Sequence, residues 1–537
     1  MKKYFLILCA FYSISLSAQA PNIHWQKVYG GNGNERLNKI ISASDGSYII
    51  SGESESGVSG DKTDITFGEF DYWIIKSNSQ GVIEWQKDFG GSDTESRPHI
   101  IETIDGGFLI CGNSQSNISG NKAENTNGFS DFWVIKLDDN GSIQWQNTIG
   151  GSFTDIVSSV IQTPDGGYLL GGSSVSNSSG DKTENNVGFQ FGLPYYTYYD
   201  YWIVKIDVLG NIQWDNTIGS KLNDGVTIAI NASDNGYLIG GYTSCDTSGD
   251  QSGSCHGDLD SWIVKLDIDG NIIWQNIIGG NNRDLLQTII STSDGGYLLG
   301  LDSNSNISGQ KTENSHGGKD YWVIKIDSLG EVSWDKTIGG SLDDIIVDLK
   351  EDINNNFYAL GYSNSNISGD KTQNSKGAYD YWILKLDQIG NVIWDKTIGG
   401  SDNDYNASLQ YIANDDSVLI GGSSSSIISG DKSEDTRGLF DYWIVKLESD
   451  NLQTNFYEKS NISIYPNPTA KKIFIDFQKI FKKVTVNLIN VLGQLILEKK
   501  YTNSSKIEFN IDGPKGIYFV NIDNENNERV TFKIVKE

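Results

Sequence analysis

Residues 380–400 read DYWILKLDQIGNVIWDKTIGG, a phrase that recurs with small changes along most of the chain. All 14 tryptophans of the protein occupy one of its two tryptophan positions. The first position lies in D-[YFS]-W and comprises Trp73, Trp133, Trp202, Trp262, Trp322, Trp382 and Trp443. The second opens W-x-x-x-x-G-[GS] and comprises Trp25, Trp85, Trp145, Trp214, Trp274, Trp334 and Trp394. Successive copies are 60 residues apart, with single spacings of 69 and 61, and such a fixed period indicates a repeat architecture.

Each repeat contains four segments with the character of β-strands. In the sixth repeat these segments are residues 344–350, 357–361, 380–387 and 391–398. They are rich in β-branched and aromatic residues and are bounded by Gly, Asp and Asn turns, whereas no segment shows the apolar period of a helix. Four strands per unit, repeated radially, predict an all-β propeller, and seven units predict seven blades.

The two ends of the repeat region predict how the ring closes. The last repeat stops after Lys446 and lacks its fourth strand, while an extra copy of that strand, residues 23–30, precedes the first complete repeat. An N-terminal strand that completes the last blade would cover otherwise open sheet edges. We therefore predict a seven-bladed β-propeller over residues 21–448, closed by its N-terminal strand. A β-helix or linear solenoid fits less well, because a solenoid needs capping units rather than an exchanged strand.

Charge and hydropathy narrow the classes of partner. The net charge is −28, and residues 460–537 hold 12 Lys/Arg against 8 Asp/Glu, so the rest of the chain is near −32. This acidic body argues against nucleic acid or an anionic membrane as partner, and it leaves cations and neutral polar ligands open. Residues 1–20 have the pattern of a secretory signal peptide, and no other segment is apolar for long enough to predict a transmembrane span.

Three cysteines follow the predicted signal peptide. Cys245 and Cys255 lie in one loop of a chain destined for an oxidising space, which predicts a disulfide between them. The alternative is a pair of metal thiolates with His256, although zinc sites usually have more ligands than this loop offers. Cys111 lies in an apolar strand and is predicted to be a small buried side chain.

The phrase D-x-x-G-x-x-x-W, as in Asp387, Gly390 and Trp394, resembles the tryptophan-docking motif of quinoprotein propellers. It covers about eight residues per blade, and it lacks both the usual Thr before the Gly and the vicinal cysteines of the quinone-dependent enzymes. The resemblance therefore implies the fold, with the indole packed between blades, and it implies no quinone cofactor.

A separate module follows a polar linker at residues 449–461. Residues 462–537 contain alternating strands, which predict a small antiparallel β-sandwich. Its ordered motifs are Y-P-N-P, G-Q, G-x-Y and a terminal K-I-V-K, with Tyr465, Pro466, Asn467, Pro468, Gly493, Gly516, Tyr518 and Lys533 as the motif residues. This order resembles the type A C-terminal sorting domain of type IX secretion cargo. The resemblance implies handling by the type IX machinery and a secreted or cell-surface protein. The repeats themselves resemble uncharacterised propeller repeats of such cargo, which name no activity.

One face of the predicted propeller carries the long loops between second and third strands. These loops have nearly one length in most repeats, and three of them carry the phrase G-D-K-T, at residues 60–63, 180–183 and 369–372. They are either a binding surface on a rigid scaffold or a shared structural loop. A third-strand aspartate in every repeat is predicted to have a role in the fold, namely Asp71, Asp131, Asp200, Asp260, Asp320, Asp380 and Asp441.

An acid follows each tryptophan of the second position by ten residues. These acids are Glu35, Glu95, Asp155, Asp224, Asp284, Asp344 and Asp404. At the start of the innermost strands they are expected to surround the central channel, where seven like charges would attract a cation, so Ca²⁺ is a candidate ligand. The alternative is that each carboxylate accepts hydrogen bonds from backbone amides of its own turn or of the next blade.

The third repeat is nine residues longer than most and carries an aromatic insert. Its candidate ligand-binding residues are Phe189, Phe191, Tyr195, Tyr196, Tyr198 and Tyr199. These rings could stack on sugars, or they could fill the channel or pack on a neighbouring loop.

No catalytic residue is predicted, because the four histidines share no motif and no nucleophile elbow, zinc-protease or P-loop motif occurs. The leading hypothesis is a monomeric, exported propeller that binds or adheres to a glycan or another extracellular polymer. A secreted polysaccharide-active enzyme using carboxylates on the same face, and a purely structural surface protein, are the alternatives.

Overall fold

A computed structural model describes residues 20–187, 198–244, 247–449, 462–490, 494–524 and 529–537. These residues form strands and turns and no α-helix, so none of them builds an apolar helix that could cross a membrane. The chain divides into two compact units, Met1–Ser449 and Asp450–Glu537. The predicted signal peptide lies outside the described residues except for Ala20, and it stays a prediction.

The first unit contains seven four-stranded antiparallel sheets, which are the predicted blades. Blade 1 comprises β2 (Glu35–Ser42), β3 (Tyr48–Ser54), β4 (Asp71–Ser77) and β5 (Ile83–Phe89). Blade 2 comprises β6 (Glu95–Glu102), β7 (Phe108–Ser114), β8 (Asp131–Leu137) and β9 (Ile143–Ile149). Blade 3 comprises β10 (Asp155–Gln162), β11 (Tyr168–Ser174), β12 (Asp200–Ile206) and β13 (Ile212–Ile218). Blade 4 comprises β14 (Asp224–Asn231), β15 (Tyr237–Thr243), β16 (Asp260–Leu266) and β17 (Ile272–Ile278). Blade 5 comprises β18 (Asp284–Ser291), β19 (Tyr297–Ser303), β20 (Asp320–Ile326) and β21 (Val332–Ile338). Blade 6 comprises β22 (Asp344–Glu351), β23 (Phe357–Ser363), β24 (Asp380–Leu386) and β25 (Val392–Ile398). Blade 7 is β26 (Asp404–Ile412), β27 (Ser417–Ser424), β28 (Asp441–Leu447) and the N-terminal strand β1 (Ile23–Tyr29).

The ring closes through its N-terminal strand. Strand β1 pairs antiparallel with β28, with Val28 opposite Trp443. The innermost strands of successive blades contact one another around the ring, and β26 of blade 7 contacts β2 of blade 1. The predicted seven-bladed propeller is confirmed, since both the edge pairing and the inner ring are complete.

The second and third strands of each blade form its buried middle, as β3 and β4 show along their whole lengths. The innermost strand carries a β-bulge at the same place in each blade, between Leu37 and Lys39 in β2 and between Ile346 and Asp348 in β22. A bulge interrupts the in–out alternation of side chains. In β2 two successive residues, Asn38 and Lys39, are therefore both partly exposed.

Aromatic side chains join neighbouring blades. The seven tryptophans of D-[YFS]-W are fully buried, and in six of them the indole packs on a Tyr or Phe ring from the preceding blade, as Trp382 does on Tyr321 with centroids 5.0 Å apart. Six tryptophans of the second set pack against a turn glycine of the next blade. Gly390 has a φ of 83°, and a Cβ there would lie 2.7 Å from the Trp334 ring. This contact confirms that the second set of indoles packs between blades.

The second unit is a five-stranded antiparallel, sandwich-like sheet. Its strands are β29 (Ser463–Tyr465), β30 (Lys472–Asn490), β31 (Leu495–Asn510), β32 (Gly516–Asn524) and β33 (Arg529–Lys536). The long strand β30 pairs with β29 and with β31 near its start and with β31 and β32 near its end. A separate apolar core, including Phe477 and Val520, fills the space that the sheet encloses.

Candidate functional site

The long loops on one face of the propeller are folded by contacts that repeat from blade to blade. In blade 6 the Lys371 ammonium donates to Thr397 Oγ1 at 2.9 Å and lies 5.2 Å from the Trp382 ring centroid. The equivalent lysines are also buried, namely Lys62, Lys122, Lys182, Lys311 and Lys432. Because these side chains are enclosed, the G-D-K-T phrase has a structural role, which supports the structural alternative for this part of the loop.

The seven acids expected around the channel lie inside the blade junctions instead. All seven are completely buried, and none of them lines the cavity in the central channel. In blade 6 Asp344 Oδ2 accepts hydrogen bonds from the Gly340 amide at 2.6 Å and the Ser365 hydroxyl at 3.1 Å. The expectation that they face the channel is wrong, since each carboxylate turns back to bind the Gly or Ser amide four residues earlier.

Each of these acids lies next to the third-strand aspartate of the preceding blade. Asp320 Oδ2 accepts a hydrogen bond from the His316 amide at 2.6 Å, whereas Oδ1 of Asp320 and Oδ1 of Asp344 have no hydrogen-bond partner among the described residues. Burial raises the pKa of Asp320 to about 6, and the charge of Asp344 adds to the rise. The junction therefore favours a state in which one of its two carboxyls is protonated.

No group of three or more His, Cys, Asp or Glu in the described part of the chain could hold a metal ion. The Ca²⁺ hypothesis therefore stays a prediction without a described set of ligands. A buried lysine lies near the acids as well. Burial lowers the pKa of Lys311 to about 8, and the charges of Asp284 and Asp320 limit this decrease.

The central channel holds a cavity of ≈ 570 Å³, lined by residues from all seven innermost strands. On one side the Asp348 carboxylate binds Lys39 Nζ at 3.2 Å and Lys350 Nζ at 3.0 Å. His99 also lines the cavity, and its burial beside Lys39 and Arg97 lowers its pKa to about 3, so the imidazole is neutral.

Sequence reasoning missed this charged cluster, although a signal was present. We call the seven acids at the starts of the innermost strands the ring acids. Four residues after each ring acid the chain reads Lys39, His99, Ser159, Ile228, Thr288, Asp348 and Ser408. This position varies widely inside an otherwise regular repeat. Variation at one position of a repeat marks a place where the fold does not require one residue type, and here that place faces the cavity.

Aromatic side chains gather where the innermost strands begin, on the loop-rich face. Tyr362 packs edge-on against Tyr379 with centroids 5.5 Å apart, and Tyr405 packs against Phe440 at 5.2 Å. Tyr362 and Tyr405 join the two pairs at 6.3 Å. All four rings are half-buried, so together they form a partly exposed aromatic rim, which sequence reasoning also missed.

A second group of aromatic residues on this face is more exposed. Its members are Phe67, Phe129, Phe153 and Tyr198, with 40 to 71% of their surface exposed, all in blades 1 to 3. Phe129 and Phe153 pack together with centroids 6.4 Å apart. We call these four residues the exposed aromatic patch.

The predicted aromatic insert is only partly described. Phe189, Phe191, Tyr195 and Tyr196 lie outside the described residues, so their role as ligand contacts stays a prediction. Tyr198 belongs to the exposed aromatic patch, and the Tyr199 amide donates to Asn223 Oδ1 at 3.0 Å. Both described tyrosines therefore lie on the loop-rich face, immediately before strand β12.

The cysteine predictions have different outcomes. Cys111 is completely buried as a free thiol, as expected. Cys245 lies outside the described residues, so its pairing with Cys255 stays a prediction. The Cys255 sulfur accepts a hydrogen bond from Gln251 Nε2 at 3.5 Å.

The sorting motifs meet in the second unit. Asn467 Nδ2 donates to the Lys533 carbonyl at 2.7 Å, and Asn467 Oδ1 accepts from the Val535 amide at 2.9 Å. The Y-P-N-P phrase is thereby fixed to the terminal K-I-V-K strand. Tyr518 donates to the Pro514 carbonyl at 2.7 Å, Gly516 begins β32, and Gly493 lies outside the described residues.

Comparison with known proteins identifies the second unit. Residues 463–537 match the family described as "Secretion system C-terminal sorting domain". This match confirms the predicted type IX sorting domain, and the protein is therefore type IX cargo that is secreted or held at the cell surface. No curated protein matches the chain.

Several solved structures are similar to most of the chain at low identity. A gluconolactonase described as putative shares 8% identity over 80% of this chain and 94% of its own, with a TM-score of 0.33. A variant of NanB sialidase from Streptococcus pneumoniae shares 10% over 81% of this chain and 71% of its own, with a TM-score of 0.38. Sqt1 from Chaetomium thermophilum shares 10% over 84% of this chain and 97% of its own, with a TM-score of 0.37. These similarities transfer no activity to this chain.

Proposed function

We propose that this protein is an exported binding module that attaches to a glycan or similar neutral polymer through the loop-rich face of its propeller. The observation that carries this proposal is the position of the partly exposed aromatic rings. The exposed aromatic patch and the rim of Tyr362, Tyr379, Tyr405 and Phe440 lie on the same face. Sugar rings present apolar C–H faces that pack on aromatic side chains.

The rest of the face suits a polar, uncharged ligand. Its long loops are rich in Ser, Asn and Thr side chains, which both donate and accept hydrogen bonds. The body of the chain is strongly acidic, which disfavours polyanions by charge repulsion. A neutral polysaccharide is therefore favoured over an anionic one.

The carboxylates that recur in every blade on this side of the propeller are not displayed on its surface as a reactive pair. The ring acids and the third-strand aspartates are completely buried and bonded within the junctions. Binding is therefore favoured over the polysaccharide-active alternative. A purely structural role is the remaining alternative, and the binding experiment separates it from the proposal.

The test is a glycan array followed by affinity measurements with the mature protein and matched variants. Phe129→Ala removes a ring that is 71% exposed from the exposed aromatic patch. Leu329→Ala removes an equally exposed apolar side chain, 71%, from a turn on the opposite face. A packed aromatic ring typically contributes about 0.5–1.5 kcal/mol beyond the area that it buries. We therefore expect Phe129→Ala to weaken polymer binding several-fold and Leu329→Ala to leave it unchanged.

Tyr405→Ala tests the aromatic rim in the same assay. An array with no bound glycan would favour the structural alternative. Polymer shortening by the wild-type protein would establish the enzymatic alternative. Equal loss of affinity in the Phe129 and Leu329 variants would remove the loop-rich face as the binding surface.

A further inference from the structure

The cavity in the central channel has two chemically different sides. Blades 6 and 1 contribute Asp348, Lys350 and Lys39, whereas blades 2 to 5 contribute isoleucines at the position of Lys350. These isoleucines are Ile101, Ile161, Ile230 and Ile290. One side of the cavity therefore carries charged side chains, and the other is lined by uncharged side chains, including these four isoleucines.

On the charged side, the lysine ammonium groups have more N–H donors than the acceptors of the protein occupy. Asp348 Oδ2 accepts from Lys39 Nζ and from the Leu409 amide at 2.9 Å, and its Oδ1 accepts from Lys350 Nζ. Together these contacts hold the pKa of Asp348 at about 2, against the effect of burial, so it is a carboxylate at neutral pH. Each lysine has Asp348 as its one acceptor among the described residues, although an ammonium group has three donors.

The net charge of this cluster opposes that of the whole protein. Two ammonium groups and one carboxylate give a local excess of one positive charge, while the chain carries −28. Both lysine side chains remain partly exposed, at 33 and 24%. The cavity volume is within the range of ligand pockets.

We propose that the central channel binds a small oxyanion, held by Lys39 and Lys350, with any apolar body of the ligand against the isoleucines. Asp348 is a positioning residue, because it holds the two ammonium groups close together and limits the excess charge to one. The shared chemistry is that of a carboxylate or a phosphate. A polymer on the loop-rich face is a different ligand, so this site does not depend on the proposed function.

The experiment measures binding of benzoate, inorganic phosphate and benzyl alcohol to the mature protein by calorimetry. Benzyl alcohol has the shape of benzoate without its charge. We expect saturable binding of benzoate and none of benzyl alcohol. Phosphate binding would identify a general oxyanion site, whereas its failure beside benzoate binding would identify a site for organic carboxylates.

Two variants should change the affinity in opposite directions. Lys350→Met keeps the length of the side chain but removes its charge, so anion binding should weaken by about tenfold or more. Asp348→Asn keeps a side-chain oxygen that can accept from a lysine but removes the competing negative charge, so binding should tighten. Lys87→Met on the outer strand β5 is the control and should leave the affinity unchanged.

Melting temperatures identify variants that fail to fold, and Lys39→Met replaces any such variant. The proposal is overturned if neither benzoate nor phosphate binds saturably to the wild-type protein. It is also overturned if Lys350→Met binds the anion as tightly as Lys87→Met does, because the cluster would then only tie blade 1 to blade 6.

Discussion

At the scale of single residues, each blade junction pairs a side chain of one blade with a facing position on the next blade, and the sizes of the two residues are complementary. In six junctions a Tyr or Phe side chain points at a glycine of the next blade, as the Tyr321 hydroxyl does at Gly361, where a Cβ would lie 2.5 Å away. The junction between blades 4 and 5 has Ser261 in place of the ring. Leu301, completely buried, occupies the position of that glycine. The leucine therefore fills the volume that the missing ring leaves.

This exchange predicts a strong coupling between the two positions. Ser261→Tyr alone should clash with Leu301 and lower the free energy of unfolding by about 1–3 kcal/mol. Leu301→Gly alone should leave a cavity that costs about 2–5 kcal/mol. In the double variant the new ring fills the space of the leucine, so the loss should be well below the sum of the two. Chemical denaturation of all four proteins measures the coupling, and additive losses would contradict the packing account.

At the scale of strands, the second unit depends on how its two ends meet. Asn467 donates to and accepts from the backbone of β33, near Lys533 and Val535. The Thr469 amide donates to the Val535 carbonyl at 2.9 Å. These contacts attach the segment after β29 to the terminal strand, which otherwise pairs only with β32 among the described strands.

Asn467→Ala should therefore loosen the sorting domain. Loss of two side-chain hydrogen bonds should reduce its stability by about 1–3 kcal/mol. We expect less protein outside the cell and more proteolysis of the C-terminal unit, measured by quantitative immunoblotting of cell and medium fractions. Asn510→Ala, at an exposed strand end, is the control. Normal export of both variants would show that the tie is dispensable.

At the scale of the whole molecule, the buried junction carboxyls link stability to pH. Burial raises the pKa of Asp131, Asp320 and Asp404 to about 6 and that of Asp441 to about 7. These values lie above those of the unfolded chain, so the folded state binds more protons between pH 4 and pH 7. Stability from these groups is present at low pH and is lost as the pH rises through their folded pKa values.

We therefore expect the melting temperature of the mature protein to fall between about pH 5 and pH 7. Asp320→Asn should flatten this dependence, because an amide can donate to Asp344 Oδ1 without carrying charge. Asp269→Asn, at an exposed turn position on the opposite face, is a control for a general charge effect. A melting temperature that rises steadily from pH 5 to pH 7 would contradict shared protonation at the junctions.

The sequence predicts the fold well because the residues that pack between blades recur at the same positions in seven repeats. It predicts the site poorly for two physical reasons. The bulge before Lys39 and Asp348 breaks the alternation, so simple periodicity does not show which side chains face the cavity. The ring acids are acidic residue types, which suggests exposure to solvent or to an ion. Instead they accept hydrogen bonds from nearby backbone amides inside the junctions, as Asp344 does from Gly340.

The channel and the loop-rich face exist only if seven blades form a closed ring, so removal of the closing strand tests the account most directly. Strand β1 contributes Val28 to the buried core and the hydrogen bond from Trp443 Nε1 to Gln26 Oε1 at 3.0 Å. Deleting residues 21–30 should expose the edge of β28 and lower the melting temperature of the mature protein by many degrees. An unchanged melting temperature in this truncated protein would contradict the closed ring.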